Sequence, residues 1–255
     1  MARTGAGYYT RDAPGARKPM QAIPLRASTL LVVDAQRGFT TLCPRELPVP
    51  GGLEIVPNVN RLLELPWRRI DASQDWHPPD HRSFLGQRDN LYPPHCVMGT
   101  PGAEFLPGLH TERVHAIWRK GHQRDFEAYA LTAQHPTYPA LLHADAIVTV
   151  VVCGLASNIC CFYAAGDLRR EGFRVLLVED ASAGIDVPAA GLFQAKARAE
   201  GTQLGIEYVT LAQVLGAVVE GERIAEEPEE VRQLQHEVER LRGELQTLRD
   251  ALPDV

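Results

Sequence analysis

Short apolar runs alternate with segments of helical periodicity along most of this chain. Apolar, β-branched runs predict strands, and apolar residues that recur every three or four positions predict helices. The predicted strands are Thr29–Val33, Arg69–Ser73, Val114–Arg119, Val148–Val152, Arg174–Val178 and Glu207–Val209. The predicted helices are Val56–Leu65, Ile159–Glu171 and Pro188–Gly201, and the segment Tyr138–His143 precedes the fourth strand. Because strands that alternate with helices form parallel sheets covered on both faces, the pattern predicts an α/β fold with a three-layer, doubly wound, mostly parallel sheet.

Both ends of the chain depart from this pattern. Residues 1–26 are rich in Gly, Ala, Pro and Arg without periodicity, which predicts a flexible N-terminal extension before a domain at residues 27–222. Residues 228–252 carry an apolar heptad repeat, which predicts a C-terminal coiled-coil helix. Its core positions are Val231, Leu234, Val238, Leu241, Leu245, Leu248 and Leu252. Complementary charges at the flanking positions favour a parallel homo-oligomer, with a helix packed on its own core as the alternative.

Composition and charge narrow the class of protein. A hydrophobic content of 45% in 255 residues supports one core with extensions. The tail after Val219 carries the whole net charge of −6, and the basic groups of residues 1–26 are interrupted by Gly and Pro, so no nucleic-acid partner is expected. No apolar run approaches a membrane span, no secretory leader opens the chain and five cysteines form no disulfide framework. These features predict a cytoplasmic protein without a membrane partner.

Four potentially reactive residues follow predicted strands, at the edge where α/β sheets bind ligands. They are Asp34, Asp75, Lys120 and Cys160. Cys160 lies in the first turn of a predicted helix, where the helix dipole favours a thiolate and hence a nucleophile. Asp34 could take the thiol proton while Lys120 stabilises both anions. The alternatives are a structural Asp34–Lys120 ion pair and a cysteine that only fills the core, as expected for Cys153.

A second group of side chains predicts a metal site. Asp75 and His77 are two positions apart, so an extended backbone points them to the same side. His95, in a loop stiffened by prolines, could supply a third ligand, and His81 is a possible fourth. Such a mixed oxygen and nitrogen site suits one divalent ion, with Zn²⁺ expected first and Fe²⁺ or Mn²⁺ as alternatives. Histidines that are only solvated or hydrogen-bonded are the competing interpretation.

Six segments, in order, resemble the nicotinamidases and pyrazinamidases of the isochorismatase-like cysteine hydrolase superfamily. They are L-L-V-V-D-A-Q, L-P-V-P-G-G, D-W-H-P-P-D-H-R-S-F, P-P-H-C-V-M-G-T-P-G, R-K-G with E-A-Y, and G-L-A-S-N-I-C. The resemblance covers roughly Ser28–Leu215 and implies an isochorismatase-like fold. It leaves the coiled-coil segment uncovered.

The resemblance implies a role for each matching residue. Cys160 would be the nucleophile, Asp34 the general base and acid, and Lys120 their electrostatic partner. The metal ligands would be Asp75, His77 and His95. A cis peptide between Leu155 and Ala156 would aim the N–H groups of Ala156 and Cys160 into an oxyanion hole. Phe39 and Tyr92 match positions of aromatic residues that stack on the substrate ring, although simple core packing explains them equally well.

The implied reaction converts nicotinamide to nicotinate and ammonia through a thioester. Two departures from the family pattern concern the choice of small amide substrate. The segment after Asp34 reads A-Q-R-G-F where many relatives have an Asn-Asp pair, which makes Arg37 a candidate to change the pocket rim or its charge, and Tyr92 stands where a Trp is common. One alternative is a metal-free hydrolase of the same superfamily that acts on isochorismate, an N-carbamoyl compound or another small amide. The other is a non-catalytic assembly protein built on the coiled coil.

Overall fold

The computed structural model describes residues 20–219 and Arg240. Its strands are β1 (Ile23–Pro24), β2 (Ser28–Val33), β3 (Arg69–Asp75), β4 (Ala116–Lys120), β5 (Thr149–Leu155), β6 (Arg174–Ala183), β7 (Glu207–Val209) and β8 (Val218–Val219). Its α-helices are α1 (Val56–Leu63), α2 (Tyr138–Ala144), α3 (Cys160–Arg170), α4 (Gln194–Leu204) and α5 (Leu211–Ala217). In residues 20–219, six strands form a sheet in the order β4-β3-β2-β5-β6-β7, with every neighbouring pair parallel.

The centre of the sheet is buried on both faces. β2 and β5 are buried along their whole length, and they pair with Ser28 opposite Thr149 and Val33 opposite Gly154. Helix α1 contacts β2 and β6, and α3 contacts β5 and β6. Two-sided burial explains why these strands are continuous apolar runs rather than alternating ones. The predicted α/β fold with a parallel central sheet is confirmed.

Two helix starts differ from the sequence-based prediction. The predicted helix over Pro188–Gly201 is divided: Gly191 has a φ of 68° and ends a short 3₁₀ turn, and α4 begins only at Gln194. A left-handed residue cannot continue a right-handed helix. Helix α3 begins at Cys160 without a side-chain cap, whereas Asn158, a residue type that favours the cap position, is hydrogen-bonded to both backbone groups of Ile185.

The ordered domain begins before the predicted boundary at residue 27. Ile23 and Leu25 are buried in the core, and β1 pairs in parallel with β8, with Ile23 opposite Val218. Helix α5, which the periodicity did not predict, precedes β8 and begins with a capping box between Thr210 and Gln213. That T-x-x-Q spacing is the signal by which α5 could have been predicted.

Two predicted segments lie largely outside the described residues. They are residues 1–19 of the predicted extension and the predicted coiled coil at residues 228–252, of which only Arg240 is described. Among the described residues, no helix is long and apolar enough to cross a bilayer. The five cysteines are all free.

Candidate active site

Four neighbouring segments bring their polar side chains together at the carboxyl edge of the sheet. Asp34 follows β2, Asp75 ends β3, Lys120 ends β4 and Cys160 begins α3. Lys120 Nζ lies 2.8 Å from Asp34 Oδ2 and 3.5 Å from Cys160 Sγ, and it also forms an ion pair with Asp75. The carboxylates of Asp34 and Asp75 lie within 4.8 Å of the Cys160 sulfur. A buried ammonium group therefore contacts two carboxylates and a thiol.

Backbone geometry at the ends of β2 and β5 makes this approach possible. Gly154 has a φ of 122°, and a Cβ there would overlap the carbonyl group of Val33. Only glycine therefore lets β5 lie so close to the end of β2. Asp34 itself has a φ of 45°, unusual for a residue with a side chain, and its carboxylate accepts a 2.7 Å hydrogen bond from the Ser73 hydroxyl.

Burial and charge determine the protonation states of this group. Burial raises the pKa of Asp34 above its usual value, and the positive charge of Lys120 opposes the rise. Burial alone would lower the pKa of Lys120, but Asp34 and Asp75 hold it well above its usual value. Burial also raises the pKa of the Cys160 thiol well above its usual value, despite the nearby ammonium group. Burial thus opposes the thiolate that the helix start favours at Cys160.

Asp75, His77 and His95 form a second buried cluster beside Cys160. Their ligand atoms lie within 4.8 Å of one another, with the Nε2 atoms of His77 and His95 at 3.5 and 4.0 Å from Asp75 Oδ2. The opposite ring nitrogens face backbone carbonyls, Nδ1 of His77 at 3.0 Å from Gly121 and Nδ1 of His95 at 2.8 Å from Pro93. When Nδ1 donates to a carbonyl, the lone pair of Nε2 remains free to bind a metal. The three residues fit a divalent cation.

The pKa shifts of Asp75, His77 and His95 also suit metal binding. Burial alone would raise the pKa of Asp75, but Lys120 and the two histidines hold it far below its usual value, so the residue is a carboxylate. Burial lowers the pKa of His95 to about 3, so its ring is neutral. Burial would also lower the pKa of His77, but the charge of Asp75 raises it above its usual value. Protons therefore compete with a metal mainly at His77.

His81, the possible fourth ligand, lies beside the cluster but is bonded elsewhere. Its Nδ1 lies 2.8 Å from Ser83 Oγ and its Nε2 lies 3.1 Å from the carbonyl oxygen of Phe126. Its ring centre is 4.3 Å from that of His77. With both ring nitrogens engaged, His81 supports the packing of His77 rather than offering a lone pair.

A narrow cavity connects the thiol to the histidines. Phe39 and Tyr92, both predicted as ring-stacking residues, line this cavity together with Tyr129 and Glu127. The ring centres of Phe39 and Tyr92 lie 5.5 and 5.8 Å from that of His95. The hydroxyl groups of Tyr92 and Tyr129 are 2.9 Å apart, and burial raises the pKa of Tyr129 to about 12, so it remains protonated. The aromatic rings of the cavity wall are thus neutral, and the carboxyl groups of Asp75 and Glu127 also line it.

Ala156 and Cys160, the residues expected to form the oxyanion hole, line the same cavity. The peptide bond between Leu155 and Ala156 is cis, as the resemblance implies. The carbonyl oxygen of Ala156 accepts hydrogen bonds from the N–H groups of Ile159 at 3.0 Å and Cys161 at 3.1 Å, which fixes the turn into α3. Because Cys160 opens α3, its own N–H has no partner within the helix.

Sequence reasoning missed two residues that hold the site in place. Gln36 is fully buried, and its amide exchanges two 2.8 Å hydrogen bonds with the backbone of Asp75 and donates a third, of 2.9 Å, to Ala103. The hydroxyl group of Ser73 donates a hydrogen bond to the carboxylate of Asp34. Ser73 shares a face of β3 with Asp75, so the two-residue period of a strand could have revealed it. Gln36 has no comparable signal, because its partners follow from the tertiary fold.

Arg37, the departure expected to alter the pocket, is paired outside it. Its guanidinium forms a 2.8 Å ion pair with Glu104, and both side chains are partly exposed. The charge of Arg37 is therefore matched by a neighbouring carboxylate rather than directed at a substrate.

Comparison with known proteins agrees with this architecture. Residues 28–213 match the Isochorismatase domain family. The chain is 34% identical over 178 residues to a nicotinamidase of Acinetobacter baylyi, which covers 62% of this chain and 82% of that relative. It is similar to the structure of Pyrococcus horikoshii pyrazinamidase in complex with zinc (TM-score 0.62, 35% identity, 72% of this chain and 99% of the other). It is also similar to the structure of PnC1 from L. infantum in complex with nicotinate (TM-score 0.68, 32% identity, covering 78% of this chain and 99% of the other).

The matched region contains the whole parallel sheet and every residue of the candidate site. This chain therefore belongs to the isochorismatase-like superfamily and, within it, to the nicotinamidase and pyrazinamidase family.

Proposed function

We propose that this protein hydrolyses nicotinamide to nicotinate and ammonia through a thioester on Cys160. The observation that carries the proposal is the contact of one ammonium group, Lys120 Nζ, with both Asp34 and Cys160 beside a cavity that also reaches His77 and His95. A nucleophile, a proton acceptor and a metal-ligand cluster at one small aromatic cavity suit a planar heteroaromatic amide. The zinc-bound and nicotinate-bound relatives support the same assignment.

Asp34 moves the protons of this reaction. It accepts the proton of the Cys160 thiol as Sγ bonds to the carboxamide carbon, and the N–H groups of Ala156 and Cys160 stabilise the oxyanion. Asp34 then gives that proton to the departing amine, which leaves as ammonia when the C–N bond breaks. A water molecule attacks the thioester, Asp34 takes one of its protons, and breaking the C–S bond releases nicotinate and restores the thiol.

Lys120 keeps the charge balance of the site constant during these transfers. When the proton moves from Cys160 to Asp34, the negative charge moves from the carboxylate to the sulfur. Since Lys120 contacts both the carboxylate and the sulfur, the negative charge stays beside the same cation until Sγ bonds to the carboxamide carbon and the charge moves to the oxyanion. A fixed charge that serves both states needs little reorganisation, which is how preorganised sites lower barriers.

We assign Asp75, His77 and His95 as the ligands of one divalent metal, with zinc first and iron or manganese as alternatives. The bound metal would supply a Lewis-acidic position for the ring nitrogen of the substrate. Phe39 and Tyr92 would then hold the ring between apolar surfaces, and Cys160 would face the carboxamide.

The test is ammonia release from nicotinamide by the purified protein. Cys160→Ala should abolish release, whereas Cys153→Ala removes a thiol buried in β5 and should leave it largely intact. Chelation should remove activity, and zinc, iron or manganese should restore it. Full activity after chelation would instead favour a metal-free hydrolase of the same superfamily, and equal activity of the two cysteine variants would refute the nucleophile.

We also propose a cytoplasmic homo-oligomer assembled in part by the heptads of residues 228–252. Five free cysteines suit a reducing compartment, and the heptad pattern supplies the self-association surface. Truncation after Gly221 should reduce the number of chains in the assembly, measured as its mass in solution, without changing the turnover of each chain. An unchanged oligomer would assign assembly to another surface.

A further inference from the structure

The peptide of Cys96 connects two of the proposed metal ligands. Its carbonyl oxygen accepts a 3.1 Å hydrogen bond from the N–H of His77, and it follows His95 directly in sequence. Cys96 is fully buried and has a φ of 46°, a left-handed conformation that costs energy for a residue with a side chain. A left-handed residue of this kind persists only where surrounding contacts hold its peptide in place.

The carboxylate of Glu46 is bonded to this peptide. Its Oε2 accepts a 2.9 Å hydrogen bond from the N–H of Cys96, from a position 50 residues earlier in the chain. A hydrogen bond from a backbone N–H to a carboxylate is stronger than one to a neutral oxygen. The two backbone groups of Cys96 are therefore bonded to Glu46 on one side and His77 on the other.

Two glycines form the slot that admits this carboxylate. A Cβ added at Gly38 or at Gly102 would fall well inside van der Waals contact with the oxygens of Glu46. Neither glycine has a positive φ, so the absence of a side chain, rather than backbone freedom, is what these positions supply. The carboxylate of Glu46 therefore occupies the space that a side chain at Gly38 or Gly102 would fill.

We propose that Glu46 is a positioning residue that sets His95 for metal binding, through the Cys96 peptide and the slot formed by Gly38 and Gly102. The inference rests on the proposed metal site. Without the carboxylate, a buried N–H loses its acceptor and the left-handed peptide is free to relax. His95 would then move, because its backbone continues directly into the Cys96 peptide.

The first test compares Glu46→Ala with Glu104→Ala, which removes a mostly exposed carboxylate from a neighbouring loop. Two properties are measured: zinc affinity by chelator competition, and hydrogen exchange of the Cys96 amide in metal-free protein. Glu46→Ala should weaken zinc binding about 10- to 100-fold, the usual range for groups that orient metal ligands, and accelerate exchange at Cys96. Glu104→Ala should leave both properties within about twofold of wild type, and Glu46→Gln, which keeps an acceptor oxygen, should restore most of the affinity.

The second test uses the slot itself. Gly102→Ala should displace the carboxylate and weaken zinc binding like Glu46→Ala, but it should add little in a chain that already carries Glu46→Ala. Wild-type zinc affinity together with wild-type exchange at Cys96 in Glu46→Ala would overturn the proposal. So would an equal loss from Gly102→Ala in both backgrounds. If Glu46→Ala fails to fold, Gly102→Ala in the wild-type background decides the matter, because wild-type zinc affinity together with wild-type exchange at Cys96 in that variant would overturn the proposal.

Two different measurements test the metal site and the role of Glu46. If wild-type protein binds no zinc, iron or manganese, the metal site of the proposed function is refuted. The exchange rate of the Cys96 amide in Glu46→Ala still decides the positioning role, because it is measured without metal. Acceleration there supports the role of Glu46, and an unchanged rate refutes it.

Discussion

Replacing Lys120 with methionine removes the only cation in direct contact with Asp34 among the described residues. Lys120 is 1% exposed and Asp34 is 0% exposed, so the remaining charges stay out of water. Methionine preserves most of the apolar stem of lysine but cannot pair with Asp34 or Asp75. The variant therefore leaves two neighbouring buried carboxylates without their shared partner.

The expected loss of unfolding free energy in Lys120→Met follows from the burial of the Lys120–Asp34 ion pair. Breaking a buried ion pair by removing one partner costs about 3 to 5 kcal/mol, because an uncompensated charge remains inside. Lys196 provides the matched control: its side chain is 62% exposed and lies 4.0 Å from Glu200 one helical turn away. Such exposed pairs contribute about 0.3 to 0.5 kcal/mol, so Lys196→Met should be nearly neutral.

The unfolding free energy of Lys120→Met should also depend on pH. Lys120 opposes the burial-driven rise in the pKa of Asp34, so its removal raises that pKa further. A carboxyl group with a raised pKa in the folded state favours folding when protonated and opposes it when ionised. Lys120→Met should therefore be least stable above the raised pKa of Asp34 and regain stability as the pH falls through it.

Equilibrium urea unfolding of metal-free protein measures these effects without the stabilisation that a bound metal adds. Lys120→Met should lose about 3 to 5 kcal/mol of unfolding free energy at neutral pH. Adding Asp34→Asn should recover part of this stability but no hydrolysis. Equal stability of Lys120→Met and Lys196→Met, or no recovery in the double variant, would refute the description of Lys120 as the stabilising cation.

Three further results are expected. The kcat/KM for nicotinamide should fall as the pH decreases through the raised pKa of Asp34, because only the carboxylate accepts the thiol proton; a flat profile between about pH 8 and pH 4 would contradict this. His95→Ala should weaken zinc binding by at least about 10-fold, as measured by chelator competition, whereas His81→Ala should retain zinc within a few fold; equal losses would make His81 a ligand. Tyr92→Phe keeps the ring but removes the hydrogen bond to Tyr129, so unfolding free energy should fall by about 0.5 to 1.5 kcal/mol with little change in KM, and a large rise in KM would show that the hydroxyl contacts substrate.

Much of the site could be predicted because its chemistry follows the ends of strands. Asp34 comes directly after an apolar run, Asp75 and Lys120 follow predicted strands, and parallel strands carry such residues to one edge. The spacing of Asp75 and His77 places both side chains on the same side of an extended segment. These are consequences of local periodicity, which a sequence contains in full.

Other features depend on partners that are distant in the chain. The ring nitrogens of His81 face Ser83 and the carbonyl of Phe126, 45 residues away, rather than Asp75. Gln36 binds the backbone of Asp75, 39 residues later. No short pattern contains both members of such pairs, so sequence reasoning left His81 undecided and missed Gln36.

The sequence by itself determined the residue types, their order and the sheet edge at which they meet, because helix and strand periods are local properties. The tertiary structure decided their chemical state. Cys160 begins a helix, which by itself favours a thiolate, yet burial among neighbouring strands raises the pKa of its thiol. Desolvation depends on everything packed around a group, and that surrounding exists only once the chain has folded.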